Sequence, residues 1–274
     1  KRFAQAMRSA VDRVDPRIRL GLCACMDVWD FCGVAADELA VLLAGGTKPL
    51  LRLIGAPYWS VKESWGNRLQ DVIELERMER AWCRDGIEIF SEGDAWPRPR
   101  FACPASRPEC FDLALRASGE TDGILKYVFD YSSSPDYEPG YVERHTENRA
   151  LGGEIDRLFA DKTAVGLRVY EFEKKFETMT VPDRRAGRDD VQDFFFSPAA
   201  RLAAACAVPT VYRGRGAGGI AFGENARFLS DEEISGGLLL DVRAAQILEQ
   251  RGVDTGLAQV GEPFSPDEEY FDAQ

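Results

Sequence analysis

The chain has 274 residues, which is long enough for one large domain or two ordinary ones, and its hydrophobic content of 45% is ample for a packed core. Its net charge of −12 argues against a nucleic-acid partner, because affinity for a phosphate backbone depends on clustered Lys and Arg. No apolar run approaches the ~18 residues that a membrane-spanning helix needs, so we expect a soluble chain that does not contact membranes.

The seven cysteines are an odd number without a CxxC pair, and they lie among apolar neighbours. Such cysteines are typical of reduced thiols in a reducing compartment, so we expect a cytoplasmic protein. A zinc site at Cys23, Cys25 and Cys32 is an alternative, but this spacing is not one of the structural zinc patterns. We therefore expect neither a metal nor a cofactor.

The first residues show the spacing of an amphipathic helix. Phe3, Met7, Ala10, Val11 and Val14 fall three or four positions apart, which predicts a helix that buries this apolar face. The pattern starts at once, without Met or a signal segment, and we interpret the sequence as a piece of a longer protein.

Four short apolar runs with helical segments between them predict a βα array. The runs are Ile18–Cys23, Pro49–Ile54, Gly86–Phe90 and Gly123–Phe129. A complete eight-unit barrel takes about 250 residues, so four units account for half of one. Polar and aromatic residues follow each run, where a barrel builds its active site. The pattern therefore favours the last four units of a (β/α)₈ barrel over residues 1–162, with an open doubly wound sheet as the alternative.

A second, small α/β domain is predicted over residues 163–274. Its predicted strands are Ala164–Tyr170, Thr210–Tyr212, Gly219–Phe222 and Leu238–Leu240, and its predicted helices are Ser197–Cys206 and Val242–Arg251. The run Gly214–Gly219 formally matches the GxGxxG pattern of dinucleotide-binding folds. A strand-like segment follows it where that pattern needs a helix, so we interpret the run as a flexible loop.

Acidic residues directly follow the third apolar run. A retaining glycosidase needs a nucleophilic carboxylate at the carboxyl end of a barrel strand, and Glu92 occupies such a position. We therefore predict that Glu92 is the catalytic nucleophile. The alternative is that Glu92 and Asp94 are solvated loop acids paired with Arg98 and Arg100.

Acids and aromatic residues also follow the other strands, a combination that suits a sugar ligand. Carboxylates accept hydrogen bonds from sugar hydroxyls, and flat rings cover the apolar face of the ring. The predicted substrate-binding residues are Asp27, Trp29, Tyr58, Trp59, Asp94, Trp96, Arg98, Tyr131, Glu138 and His145. His145 is the only histidine, which excludes multi-histidine metal sites; it either contacts substrate or braces the helix that starts near Tyr141.

A family resemblance follows from these segments. The stretch Asp122–Tyr131, with Tyr137–Tyr141 and His145, resembles the last barrel strand and the following loop of family 42 β-galactosidases. Phe90–Asp94 is similar to the segment that carries the nucleophilic Glu of that family. Residues 163–274 resemble its α/β trimerisation domain, which is similar to flavodoxin and amidotransferase folds.

The resemblance implies a retaining glycoside hydrolase that acts on oligosaccharides or glycosides and forms homo-oligomers through its C-terminal domain. Glu92 would attack the anomeric carbon, and an acid/base residue upstream of Lys1 would protonate the leaving oxygen. The chain alone is then expected to be inactive. A non-catalytic carbohydrate-binding or assembly protein on the same fold is the alternative, and an upstream Glu at the end of the fourth barrel strand distinguishes the two.

Overall fold

The computed structural model describes residues 1–25, 35–54, 69–94, 103–127, 140–178, 195–214 and 216–261. These residues form a mixed α/β fold with two four-stranded parallel sheets. Sheet A contains β1 (Leu22–Cys23), β2 (Leu50–Leu53), β3 (Glu88–Gly93) and β4 (Gly123–Lys126). Sheet B contains β5 (Leu167–Val169), β6 (Thr210–Val211), β7 (Gly219–Ala221) and β8 (Leu238–Leu240). The helices are α1 (Arg2–Asp12), α2 (Ala36–Ala44), α3 (Leu69–Trp82), α4 (Ser106–Ser118), α5 (Tyr141–Phe159), α6 (Lys175–Thr178), α7 (Pro198–Ala205), a 3₁₀ helix (Gly223–Arg227), α8 (Asp231–Ser235) and α9 (Val242–Gln250).

A strand is present within or overlapping each predicted apolar run, although most strands are shorter than the runs. Leu238–Leu240 is a strand over its full predicted length, whereas the first run keeps only Leu22–Cys23. The strands of sheet A lie in chain order, β1-β2-β3-β4, which is how successive right-handed βα units build a sheet. The predicted α/β fold class is confirmed.

Helices α2, α3 and α4 cover one face of sheet A, which we call the helix face. Leu51 and Leu53 of β2 and Ile89 of β3 pack there against α2, and Ile124 of β4 packs against α3 and α4. Side chains alternate between the two faces along a strand. The opposite face, which we call the open face, carries Cys23, Arg52, Phe90, Glu92 and Leu125.

The first helix is present, but the prediction of its buried face is wrong. Phe3 is 78% exposed and Val14 is 82% exposed, whereas Ala4 and Arg8 are buried against the rest of the chain. The guanidinium of Arg8 explains this orientation, because it donates hydrogen bonds to the carbonyl oxygens of Ile18 and Leu43. Satisfying these backbone acceptors turns the apolar side of α1 outward.

The helix α5 is the longest of the described helices, with 19 residues. Its exposed side combines the charged residues Glu147 and Glu154 with Leu151 and Leu158. Among the described parts of the chain, no helix is both long and apolar enough to cross a bilayer.

Helix α3 joins the two sheets through a shared core. Its residues Val72, Ile73 and Met78 belong to the same cluster of buried side chains as Val169 of β5 and Ile220 of β7. The domain boundary that we predict at residues 162–163 falls in the connection between α5 and β5. The predicted first and second domains are therefore packed together around α3.

Sheet B has the strand order β6-β5-β7-β8 and is covered on both faces. Helix α7 packs on the face that carries Val169 and Ile220. Helix α9 and the 3₁₀ helix pack on the other face, around Ala221. Sheet B therefore lies between two helical layers, whereas the described helices of sheet A lie on one side.

The glycine-rich run links β6 to β7 and passes close to β5. A Cβ atom at Gly216 would lie 2.5 Å from the backbone nitrogen of Arg168, so only glycine fits this approach. Gly219 begins β7, which confirms that a strand follows the run. The glycines thus serve chain packing, and the helix that a dinucleotide-binding pattern requires is absent from this described segment.

Candidate functional site

Three of the predicted site residues lie in the described part of the chain: Glu92, Asp94 and His145. The other predicted site residues lie outside the described residues; they are Asp27, Trp29, Tyr58, Trp59, Trp96, Arg98, Tyr131 and Glu138. The roles assigned to them stay predictions.

Glu92 is a buried strand residue on the open face of sheet A. It lies near the carboxyl end of β3, and only 4% of its surface is exposed. Its Oε1 accepts a hydrogen bond from Nη1 of Arg52 at 2.8 Å. Its Oε2 is buried and has no hydrogen-bond partner among the described residues. The alternative that Glu92 is a solvated loop acid is therefore wrong. Asp94, which follows β3 directly, is also buried.

Arg52 reaches Glu92 because the strand register places both on the same face. In the β2–β3 pairing Arg52 lies opposite Phe90, and Glu92 is two residues further along β3. The two side chains are nearly buried, with 11% and 6% of their surfaces exposed. Arg52 was not among the predicted site residues. The signal that points to it is an arginine inside the apolar run Leu50–Leu53, since a buried guanidinium needs a carboxylate partner.

A second carboxyl group lies on the helix face of β3. Ser91 donates a hydrogen bond from its Oγ to Oε1 of Glu76, which projects from α3 and is fully buried. Burial raises the pKa of Glu76 to about 8, the hydrogen bond from Ser91 opposes this shift, and the negative charge of Glu92 adds to it. Glu76 therefore lies against the helix face of β3, whereas the side chain of Glu92 leaves β3 on the open face. Glu76 is a neutral carboxyl group at neutral pH.

His145 lies on α5, on the helix-face side of sheet A, away from the side chain of Glu92. Lys126 of β4 contacts Nδ1 of His145 at 2.8 Å, together with the carboxylates of Glu109 and Asp112. Glu109, Asp112 and His145 have their ligand atoms within 4.8 Å of one another, as in a metal site. The ammonium group of Lys126 already contacts all three side chains, so this cluster ties α4 and α5 to β4. These contacts favour the bracing role of His145, and its substrate-binding role stays a prediction.

A cleft of about 420 Å³ is lined by residues of α3 and by the segments that precede β4, β5 and β6. Its buried floor is Glu74, whose carboxylate accepts hydrogen bonds from Gln70, Arg77, Thr210 and Tyr212. Burial raises the pKa of Tyr212 well above its usual range, and the adjacent Glu74 carboxylate adds to this. Both carboxylate oxygens of Glu74 have donors, so the network is a structural joint between α3 and β6.

Comparison of the chain with protein-family models, curated proteins and solved structures found no match. The resemblance to family 42 β-galactosidases therefore stays a prediction. The functional argument rests on the geometry around Glu92.

Proposed function

We propose that the intact protein is a β-galactosidase-like retaining glycoside hydrolase that acts on oligosaccharides or glycosides, with Glu92 as its nucleophile. One observation carries the proposal: Glu92 is a buried carboxylate near the carboxyl end of β3, bound by Arg52 at Oε1 and unpartnered at Oε2 among the described residues. A retaining glycosidase forms its covalent intermediate on a carboxylate at this end of a barrel strand.

We further propose that sheet A is four consecutive strands of a (β/α)₈ barrel. The sequential strand order and the cover of α2, α3 and α4 on one face support this, because a doubly wound sheet carries helices on both faces. Sheet B is covered on both faces and has the strand order of the first four strands of flavodoxin-like folds. Its arrangement supports the flavodoxin-like assignment of the second domain.

In the proposed reaction Glu92 attacks the anomeric carbon and forms a covalent glycosyl-enzyme. A second carboxyl group, about 5 to 5.5 Å away, protonates the leaving oxygen and later activates a water molecule. We assign that group to the other strands of the barrel, outside this chain. The 274-residue chain alone is then expected not to turn over aryl glycosides, and turnover by the purified chain would contradict this assignment.

The test is a screen of the full-length protein against aryl glycosides, with Glu92→Gln as the decisive variant. The amide keeps the shape of the side chain but cannot form the intermediate, so we expect turnover to fall at least ~10³-fold. Glu88→Gln is the matched control, because Glu88 lies on the same face of β3 at its opposite end and pairs with Arg19 at the surface. We expect this control to keep wild-type turnover.

Two other outcomes would change the assignment. Undiminished cleavage by Glu92→Gln would remove Glu92 from the mechanism. Binding of oligosaccharides without cleavage of any glycoside would favour the non-catalytic carbohydrate-binding or assembly function.

A further inference from the structure

We propose that Arg52 is the positioning residue of the candidate nucleophile: it holds Oε1 of Glu92, so that Oε2 is the oxygen that attacks the anomeric carbon. This inference rests on the proposed glycosidase function and deepens it. It assigns a role to a residue that neither the motifs nor the family resemblance indicate.

The first support is the geometry of the pair. Nη1 of Arg52 lies 2.8 Å from Oε1 of Glu92, and the two residues project from adjacent hydrogen-bonded strands. Both side chains are about nine-tenths buried, so solvent does not compete for the contact. A hydrogen bond between two rigid strands fixes the rotation of the carboxylate about its terminal bond. One oxygen of Glu92 is thereby engaged and the other keeps a defined direction.

The second support is the state of Oε2. Buried polar atoms nearly always have a hydrogen-bond partner, and an exception in a folded protein calls for an explanation. Several buried polar atoms of the described residues have no partner, and Oε2 of Glu92 is the carboxylate oxygen among them that belongs to the open face of sheet A. An oxygen that must form a bond to substrate carbon needs its lone pairs uncommitted, which explains the missing partner.

The proposed step balances without a change in the protonation of Arg52. A lone pair of Oε2 forms the bond to the anomeric carbon, while the bond from that carbon to the leaving oxygen breaks and its electron pair stays on that oxygen. The acid/base carboxyl then protonates the leaving oxygen. Oε1 becomes the carbonyl oxygen of the glycosyl ester and keeps its hydrogen bond from Arg52. In the second step the acid/base carboxylate takes a proton from water, and the water oxygen attacks the anomeric carbon. The bond from that carbon to Oε2 breaks, which releases the sugar and restores the Glu92 carboxylate.

The test compares Arg52→Met and Arg52→Lys in the full-length protein by pre-steady-state formation of the glycosyl-enzyme from an aryl glycoside. Because positioning acts on the reacting oxygen, Arg52→Met should lower the rate constant for formation of the glycosyl-enzyme about 10²-fold, with KM changed only a few-fold. Arg52→Lys keeps a cationic donor on a shorter side chain, without the planar guanidinium, and should recover part of the loss.

The matched control is Arg77→Met. Arg77 pairs with Glu74 at 2.8 Å with 10% and 6% of the two side chains exposed, nearly the same burial as the Arg52–Glu92 pair, but far from the open face. Its loss should lower the amount of folded protein while the rate per folded molecule stays within about twofold.

The outcomes separate the two proposals. Equal rates per folded molecule in Arg52→Met and Arg77→Met would overturn the role of Arg52 while leaving the glycosidase function intact. If Arg52→Met does not fold, an unchanged rate in the more conservative Arg52→Lys overturns the role as well. If the wild-type protein cleaves no glycoside, the proposed function is wrong and the role of Arg52 is overturned with it.

Discussion

Ser91 of β3 donates a hydrogen bond to the fully buried carboxyl group of Glu76 on α3. The next residue along the strand, Glu92, points to the opposite face and pairs with Arg52. Adjacent residues of β3 are therefore associated with two different carboxyl groups, one on each face of the sheet. The carboxyl group of Glu76 is neutral because it is buried, and that of Glu92 is paired with the cation of Arg52.

The raised pKa of Glu76 predicts that stability falls as pH rises. In the unfolded chain Glu76 loses its proton near pH 4.5, whereas in the folded protein it does so near pH 8. Between these values the folded state binds more protons than the unfolded state, so the free energy of unfolding should decline by up to ~1.4 kcal/mol per pH unit from this group. Below pH 4.5 the contribution is fully present, and above pH 8 it is lost.

Urea unfolding of the chain between pH 5 and 8.5, compared for wild type and Glu76→Gln, checks this prediction. Gln is neutral at every pH, so the variant should show a shallower decline. Glu88→Gln is the control, because the hydrogen bond from Arg19 lowers the pKa of the half-buried Glu88 and this residue cannot produce the same slope. Identical slopes in wild type and Glu76→Gln would contradict the buried, protonated state of Glu76.

Gly216 is predicted to be required by the close approach of its backbone to β5. Gly216→Ala would place a Cβ atom 2.5 Å from the backbone nitrogen of Arg168, which cannot move without disturbing the sheet. We expect a loss of about 1–3 kcal/mol in the free energy of unfolding. Gly218→Ala is the control in the same run, since its nearest neighbour is a Leu167 side-chain atom at 3.7 Å. A Gly216→Ala variant as stable as Gly218→Ala would rule out this close approach.

The joint between α3 and β6 is predicted to depend on a buried ion pair. Arg77→Met leaves the Glu74 carboxylate buried without its cation, which should cost about 3–5 kcal/mol in thermal or urea unfolding. The double variant Arg77→Met/Glu74→Met should cost less than Arg77→Met alone, because no charge remains unpaired. Asp85→Asn, which breaks an exposed pair with Arg213, should change stability by less than ~1 kcal/mol. If Arg77→Met lost no more free energy of unfolding than Asp85→Asn, the buried Arg77–Glu74 pair would not stabilise the contact between α3 and β6.

The orientation of α1 gives a prediction that contrasts with the apolar pattern of its sequence. Arg8→Met should destabilise the chain by about 1–3 kcal/mol, because it leaves the carbonyl oxygens of Ile18 and Leu43 without this donor. Phe3→Ser should change the free energy of unfolding by less than ~0.5 kcal/mol, because Phe3 is exposed. Chemical denaturation of the 274-residue chain measures both. A larger loss of stability in Phe3→Ser than in Arg8→Met would show that α1 buries its apolar face.

Much of the fold could be predicted from local sequence. Apolar runs bounded by turn residues predict the eight strands of the described residues, and the predicted helices Ser197–Cys206 and Val242–Arg251 contain α7 and α9, because such patterns lie within a short segment. Periodicity also predicts α1, but it predicts the wrong buried face. Which side of a helix is covered depends on what packs beside it, and a buried arginine with two carbonyl acceptors outweighs the apolar stripe there.

In the candidate site, too, one part could be predicted from local sequence and another part could not. The position of Glu92 at the end of an apolar run was sufficient to select it, since a strand end is a local property of the sequence. Its partner Arg52 and the neutral Glu76 were not predicted, because each contact joins residues that are 40 or 15 positions apart. Sequence by itself therefore determined the strands, the fold class and the acid at the strand end. Only the tertiary structure decided which faces are covered and which charges are paired, because strand register and helix packing bring distant residues together.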